Sequence, residues 1–241
     1  MVKNLFIIGV GPGSPRYLTD AAKDAIHKCC YIVGYKYTLT TIESEIDRSK
    51  QNVYEVNMEN QDDIYLQVYS KMKDTEYCGV PFTGDPNFSE SEIVDRLLEI
   101  FGDENVEIIS GISSIQIAAA KSKVPLDESH IVTFHVTGNI EIKKLELIKA
   151  VKEGKSIILI PRPWPKDQSR NFMESDIAVF LKNNEIDTSN LNVWVFEYLT
   201  KDDKENIFKG KISQLEGIKF SDMSVMVIDQ VKRRTYLQFD P

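Results

Sequence analysis

The sequence predicts an α/β protein made of two α/β domains. Short apolar runs rich in Val and Ile alternate with segments whose apolar residues recur at helical spacing, which is typical of a sheet with crossover helices. The chain has 241 residues, of which 42% are hydrophobic, so it is long enough for two small domains and too apolar to be mainly disordered. Because the alternation restarts after Pro125, we expect domains at 1–126 and 127–241, with a cleft between them.

The first domain is expected to contain five strands. They are predicted at 5–8, 31–33, 53–56, 77–82 and 106–109. Apolar residues at helical spacing predict helices near 18–29, 93–101 and 115–120, and Thr19 or Ser14 can cap the first of these.

The second domain is expected to open with a strand at 131–136, a helix near 141–151 and a strand at 156–160. Further strands are predicted at 193–196, 207–209 and 223–228, with another candidate at 235–239. Two α/β halves of similar length result.

Charge and composition exclude several classes of partner. Lys and Arg number 29 against 37 Asp and Glu, so a net charge of -8 offers no general attraction to nucleic acid. Apolar runs fall far short of the roughly 20 residues of a spanning helix, and the N-terminus lacks signal-peptide features, so we expect a cytoplasmic protein with no membrane partner. The three cysteines and three histidines show no metal-ligand spacing, so no protein-bound metal is expected.

Three glycine-containing loops follow predicted strands of the first domain and precede helices. They are Gly9–Ser14, Thr83–Ser89 and Ser110–Ser114. Each has a structural alternative, since the first could be a tight turn, Asp85 could cap a helix, and the serines could cap exposed amides. Because the carboxyl ends of parallel strands share one edge, a single composite small-molecule site is the better interpretation.

The order of these motifs resembles the tetrapyrrole (corrin/porphyrin) methylase family. The resemblance runs from Val2 to about Asp229 and rests on GVGPGSPRYLT, VGYKY, FTGDPNFSES, SGISSIQIAAAKSKVP, VTFHVTG, VWVFEYL and SDMSVMVID. It implies two α/β domains that hold S-adenosylmethionine in the cleft between them, S-adenosylhomocysteine as product, and a homodimer. VGYKY, SGISSIQ and the histidine-bearing VTFHV are most similar to members that methylate carbon 5 of the corrinoid cobalt-precorrin-7, so cobalt would be present only in the substrate.

The resemblance also implies which residues contact the cofactor and the substrate. The expected contacts of S-adenosylmethionine are Pro12, Gly84, Asp85, Phe88, Ser113, Ser114, Pro161, Glu197, Tyr198, Met223, Ser224 and Val225. Gly11, Gly13 and Ser14 are expected to contact the substrate. Family members usually have Asp at the position of Ser14, so a carboxylate near the reacting end is absent here.

The segment from Pro161 to Lys166 is the best local candidate for further substrate contact. Its prolines stiffen it, Trp164 offers a flat face, and Arg162, Lys166 and the nearby Arg170 can bind carboxylates, of which a corrinoid precursor has many. The alternative is a proline-stiffened surface loop.

The expected reaction is methyl transfer from S-adenosylmethionine to an electron-rich ring carbon without a covalent enzyme intermediate. Alignment of the reacting atoms within about 3 to 3.5 Å would supply most of the acceleration. His135 is the one candidate for a base, and no other catalytic residue can be assigned. The alternatives are another family substrate (a different corrin position, a sirohaem precursor or the translation factor of the diphthine pathway) or a non-catalytic nucleotide-binding module.

The reaction is expected to stop at one methylation. About a dozen residues follow the last predicted domain strand, too few for a further domain of about 50 residues. Methylation of carbon 15 with decarboxylation is therefore expected in a separate protein, which is a candidate partner.

Overall fold

The structure is a computed structural model that describes residues 3–164 and 167–232. The chain divides into two compact units. The first runs to Ile117 and also includes Tyr198–Glu205, and the second comprises Ala118–Glu197 and the residues from Asn206 onward. The domain boundary that we place between residues 126 and 127 stays a prediction.

The first unit contains a five-stranded parallel sheet. Its strands are β1 (Asn4–Gly9), β2 (Tyr31–Tyr35), β3 (Asn52–Val56), β4 (Tyr77–Phe82) and β5 (Val106–Ile109). They lie in the order β3-β2-β4-β1-β5, and all pairings are parallel. The helices are α1 (Asp20–Lys28), α2 (Lys36–Thr41), α3 (Gln61–Lys71), α4 (Ser91–Phe101) and α5 (Ser114–Ser122), the last of which continues into the second unit.

Both faces of this sheet are covered, which explains why β1 is apolar at successive positions. Ile7 belongs to a hydrophobic cluster with residues of α3 and α4, and Ile8 belongs to another cluster with residues of α1. Neither isoleucine is exposed to solvent. Parallel strands buried on both faces typically show such continuous apolar runs.

The second unit contains a mixed five-stranded sheet. Its strands are β6 (Ser129–Thr133), β7 (Ser156–Ile160), β8 (Asn192–Glu197), β9 (Asn206–Lys211) and β10 (Ser224–Asp229), in the order β6-β7-β10-β8-β9. Only β6 and β7 pair in parallel among these strands. The helices are α6 (Glu141–Lys152) and α7 (Glu174–Asn183), and the buried apolar residues of each join those of the sheet in a single core.

Most predicted strands and helices are confirmed, but the predicted end of the first strand of the second unit is wrong. β6 ends at Thr133 and not at residue 136, so His135 lies in the loop that follows. The His135 amide donates to Thr133 Oγ1 (3.1 Å) and the Val136 amide to the Phe134 carbonyl (2.8 Å), so these amides bond locally instead of extending the strand. Helices α2, α3 and α7 were not predicted, and the candidate strand at 235–239 lies outside the described residues.

Candidate functional site

The three glycine-containing loops meet at one edge of the first unit's sheet, as predicted. They follow β1, β4 and β5, and these strands are neighbours in the order β4-β1-β5. Because the three strands are parallel, their carboxyl ends lie at the same edge. In open α/β sheets this is the edge that binds ligands.

Backbone hydrogen bonds join the loops after β1 and β4. The Gly84 amide donates to the Gly11 carbonyl (2.7 Å), and the Gly11 amide donates to the Gly84 carbonyl (3.3 Å). Both glycines have positive φ angles, 79° for Gly11 and 77° for Gly84. Residues with a side chain rarely adopt this conformation, so the backbone at these two positions requires glycine.

The loop after β5 is packed equally closely against the other two. A Cβ atom added to Gly111 would overlap the Gly84 carbonyl oxygen, and one added to Gly9 would overlap the Gly111 backbone nitrogen. Side chains at these two positions are therefore excluded, and the three loops contact each other through backbone atoms. We refer to Gly9, Gly11, Gly84 and Gly111 as the glycine junction.

Asp85 fastens this junction with its carboxylate. Its Oδ2 accepts a hydrogen bond from the Gly111 amide (3.0 Å), and its Oδ1 accepts from the Asn87 amide (2.8 Å) and Asn87 Nδ2 (2.9 Å). Glu90 occupies the N-cap position of α4 without a side-chain capping hydrogen bond, and Asp85 lies outside this position, so the alternative in which Asp85 is only a helix cap is wrong. A carboxylate can accept about four hydrogen bonds, which leaves room for a ligand donor.

The other predicted cofactor residues of these loops lie beside the junction. Pro12 is buried and Phe88 is half-buried. Ser113 faces Gly84, since a Cβ atom on Gly84 would lie 3.7 Å from Ser113 Cα. The Ser113 hydroxyl accepts from the Ile115 amide (3.3 Å), a helix-cap contact, while Ser114 begins α5.

The segment Tyr198–Glu205, which belongs to the first unit, contacts the far end of the β1 loop. The Ser14 amide donates to Thr200 Oγ1 (3.0 Å), and a Cβ atom on Gly13 would lie 3.2 Å from the Leu199 carbonyl oxygen. Tyr198 and Thr200 have positive φ angles of 49° and 69°. The structure therefore brings Tyr198 and the predicted substrate residues Gly13 and Ser14 into one neighbourhood.

Tyr37 is a candidate site residue that sequence reasoning missed. Its phenolic oxygen is buried and has no hydrogen-bond partner among the described residues. A Cβ atom on Gly13 would lie 2.8 Å from that oxygen, and Lys201 Nζ lies 4.1 Å from the ring centroid. Burial raises the pKa of Tyr37 to about 12, so at neutral pH it is a neutral hydrogen-bond donor. Its position within VGYKY was the only signal in the sequence.

The predicted cofactor residues of the second unit cluster around the ends of β8 and β10. Ser224 pairs with Glu197 across these strands, and Val225 is buried beside it. The Glu197 carboxylate accepts from the Ser221 amide (2.6 Å) and Asn206 Nδ2 (2.7 Å). Met223 lies directly before β10, and its amide donates to Ser221 Oγ (2.9 Å).

Glu174, a fully buried carboxyl group at the start of α7, lies beside Ser224. Burial raises the pKa of Glu174 to about 7, and the Ser224 hydroxyl opposes this shift. No sequence pattern had indicated this residue.

The remaining predicted residues lie at the carboxyl ends of β6 and β7. Pro161 and Arg162 are buried, Trp164 is half-buried and His135 is exposed. Lys166 lies outside the described residues. Within 3–164 and 167–232, no group of three or more His, Cys, Asp and Glu side chains is placed to hold a metal ion. In the same ranges, no helix is long and apolar enough to cross a membrane.

The parallel sheet with ligand-type loops at its carboxyl edge defines a class of small-molecule-binding α/β proteins. The sequence profile of the tetrapyrrole (corrin/porphyrin) methylases matches residues 4–216, and the chain belongs to this family. It is an S-adenosylmethionine-dependent C-methyltransferase, which excludes the alternative of a non-catalytic module.

Several known proteins are similar to the chain. The probable cobalt-precorrin-7 C(5)-methyltransferase of Methanocaldococcus jannaschii is 31% identical over 226 residues, which cover 93% of this chain and 97% of that protein. The structure of precorrin-6Y methylase from Archaeoglobus fulgidus shares the fold, with a TM-score of 0.63, 20% identity and coverage of 95% and 97% of the two chains. So does uroporphyrin-III C-methyltransferase from Thermus thermophilus complexed with S-adenosylhomocysteine, with a TM-score of 0.67, 14% identity and coverage of 93% and 91%.

Proposed function

We propose that the chain transfers a methyl group from S-adenosylmethionine to carbon 5 of cobalt-precorrin-7, as a step of cobalamin biosynthesis. The observation that carries this proposal is the 31% identity to the M. jannaschii protein, which extends over 97% of that protein's length. The similar solved structures support the fold and leave the ring position to experiment.

The glycine junction fits the cofactor chemically. Backbone amides and carbonyls without side chains allow a ligand to approach the loops closely. The Asp85 carboxylate retains the capacity to accept a hydrogen bond from a ribose hydroxyl or an ammonium group. Pro12 and Phe88 supply apolar surface of the kind that an adenine ring requires. The family resemblance adds the second-unit residues, whose part in binding is a proposal.

When bound, S-adenosylmethionine supplies an electrophilic methyl group. The chain's own residues would hold the two reactants in register and exclude water from the reacting atoms. The Tyr37 hydroxyl, buried beside Gly13, can donate a hydrogen bond to a ligand at the β1 loop. His135 is exposed in the loop after β6 and stays the one candidate for a base that takes the later proton.

The test is methylation of cobalt-precorrin-7 by the purified full chain with S-adenosylmethionine carrying a carbon-13 methyl group. We expect one added methyl group, no loss of carbon dioxide, and a labelled carbon attached to carbon 5 in the NMR spectrum. Label on another ring carbon, a second methyl group or decarboxylation would contradict the proposal. Binding of S-adenosylhomocysteine without turnover would point to another tetrapyrrole substrate.

A further inference from the structure

One buried hydroxyl group of the first unit lacks a hydrogen-bond partner. The phenolic oxygen of Tyr37, at the start of α2, is buried and forms no hydrogen bond among the described residues. By contrast, Tyr35 in the same VGYKY motif donates to Gln61 Oε1 (2.7 Å). A buried polar group without a partner destabilises a fold, so one that is retained calls for an explanation.

Three segments of the first unit surround this hydroxyl: α2, the β1 loop and Tyr198–Glu205. A Cβ atom on Gly13 would lie 2.8 Å from Tyr37 Oη. The same atom would lie 3.2 Å from the Leu199 carbonyl oxygen and 3.3 Å from Lys201 Cγ. Gly13 and Leu199 contribute backbone atoms here, whereas Lys201 contributes a flexible side chain. Movement of the Lys201 side chain is therefore the change that opens the Tyr37 hydroxyl to a ligand with least effect on the backbone.

Lys201 places a positive charge on the face of the same ring. Its Nζ lies 4.1 Å from the Tyr37 ring centroid. In the parts of the chain that the structure describes, this ammonium group forms no ion pair and no hydrogen bond. The contact with the ring orients the ammonium group but does not neutralise it. The charge is therefore available to an anion.

The backbone of Lys201 is fixed, although its side chain is flexible. The Lys201 carbonyl accepts a hydrogen bond from the Glu205 amide (2.7 Å), which closes a turn. The Glu205 carboxylate in turn accepts from the Thr200 amide (3.1 Å), while Asp202 and Asp203 are exposed to solvent. None of these three carboxylates is paired with Lys201, so the segment holds the lysine in place and leaves its charge unpaired.

A carboxylate matches the two groups. Burial, with a smaller contribution from Tyr198, raises the pKa of Tyr37 to about 12, so its hydroxyl keeps its proton at neutral pH and can donate. The ammonium group and the hydroxyl share one ring, which brings them close enough for the two oxygens of one carboxylate to accept from both. The predicted substrate residues Gly13 and Ser14 lie beside them, and neither adds a charge that would repel an anion.

We propose that Lys201 and Tyr37 form a subsite for one carboxylate arm of the tetrapyrrole substrate. The Lys201 ammonium group pairs with the carboxylate, and the Tyr37 hydroxyl, uncovered as the lysine side chain moves, donates to the same group. The pair thereby orients the macrocycle at the β1 loop. This inference rests on the proposed function for the identity of the substrate and on the geometry of the first unit for the ligand class. S-adenosylmethionine also carries a carboxylate, so the two sources have to be separated.

The experiment compares the full-length wild type with Tyr37→Phe, Lys201→Met and Lys201→Arg. Two controls make the same changes elsewhere in the first unit. Lys204→Met alters an exposed lysine of the same segment, and Tyr31→Phe alters a half-buried tyrosine at the amino end of β2. Each protein is titrated with coproporphyrin III, a tetrapyrrole with carboxylate arms, and with its uncharged amide. The KM for cobalt-precorrin-7, the affinity for S-adenosylhomocysteine and the urea midpoint are measured on the same proteins.

We expect the dissociation constant of coproporphyrin III and the KM to rise about 10-fold in Tyr37→Phe and about 10- to 100-fold in Lys201→Met. Lys201→Arg, which keeps the charge, should restore most of the binding, and both controls should match the wild type. S-adenosylhomocysteine affinity should not change. Tyr37→Phe should keep or raise the urea midpoint, because it removes an unpaired buried hydroxyl, whereas loss of a purely structural hydrogen bond would lower the midpoint.

Several results would overturn the subsite. They are wild-type binding of coproporphyrin III no tighter than that of the amide, and unchanged coproporphyrin binding in Tyr37→Phe or Lys201→Met. Loss of S-adenosylhomocysteine affinity with coproporphyrin binding intact would assign the pair to the cofactor's carboxylate instead. If coproporphyrin binds as expected but cobalt-precorrin-7 stays unmethylated, the proposed function fails and the subsite stands. Methylation of carbon 5 with wild-type KM in both variants gives the reverse.

Discussion

Replacing Asp85 by Ala should weaken both the fold of the first unit and its affinity for S-adenosylhomocysteine. The substitution removes one acceptor group with three hydrogen bonds, from the Gly111 amide, the Asn87 amide and Asn87 Nδ2. Hydrogen bonds to a charged group contribute about 1.5 to 3 kcal/mol each when buried, and Asp85 is half-buried. Allowing for partial solvent exposure, we expect a loss of about 2 to 4 kcal/mol in the free energy of unfolding.

The effect on binding follows from the same contacts. If the carboxylate also accepts a hydrogen bond from the ligand, its loss should weaken S-adenosylhomocysteine binding by about 1 to 3 kcal/mol, or about 5- to 150-fold. Urea unfolding and isothermal titration calorimetry measure the two quantities separately. Asp95→Ala is the control, because Asp95 is an exposed aspartate in the middle of α4.

Two results would refute this reasoning. Unchanged unfolding free energy would mean that the three hydrogen bonds contribute nothing net. Lower stability with unchanged affinity would confine Asp85 to fastening the junction and remove it from the cofactor site.

Three further substitutions or measurements test other parts of the structure. Gly111→Ala should lower the free energy of unfolding, measured in urea, by about 3 kcal/mol because the added Cβ overlaps backbone atoms, whereas Gly138→Ala, which has nothing within 4 Å, should change it by no more than about 0.5 kcal/mol. Equal effects of the two substitutions would contradict the close packing of the glycine junction. Glu174→Gln should stabilise the chain by up to about 3 kcal/mol at pH 8 and by little near pH 4.5, because folding raises the pKa of this carboxyl group from 4.5 to about 7 and its ionisation above pH 4.5 then destabilises the folded state. A stability difference that does not change with pH would contradict the raised pKa. Cys30 alone should react quickly with Ellman's reagent in the native protein, because Cys29 and Cys78 are buried and burial raises the pKa values of their thiols. Rapid reaction of all three cysteines would contradict the burial of Cys29 and Cys78.

The loops of the glycine junction could be predicted because their chemistry is local. Gly84 lies two residues after the end of an apolar strand, and the parallel order of the strands then brings their carboxyl ends together. The role of Asp85 could not be predicted, since its carboxylate reaches Gly111 in a different loop. Sequence alone shows that the carboxylate is present and leaves its partners open.

Other features escaped prediction for related reasons. Helix α2 has six residues, Lys36–Thr41, and α3 mixes polar and apolar positions, so neither shows a clear apolar stripe. The surroundings of Tyr37 depend on Lys201, which lies far along the chain. One pocket of the second unit likewise combines Lys144 of α6 with Arg162 and Arg170 of a later loop, and only the fold places them together.

The connection between β8 and β9 affects the order in which the chain can fold during synthesis. Tyr198–Glu205 belongs to the first unit, although the strands on either side belong to the second. The ribosome therefore releases the first sheet long before it delivers Thr200, the residue whose hydroxyl accepts from the Ser14 amide. The β1 loop would reach its final conformation only after most of the second unit has emerged, so a truncated chain ending at residue 126 would carry the sheet of the first unit with an unfinished loop.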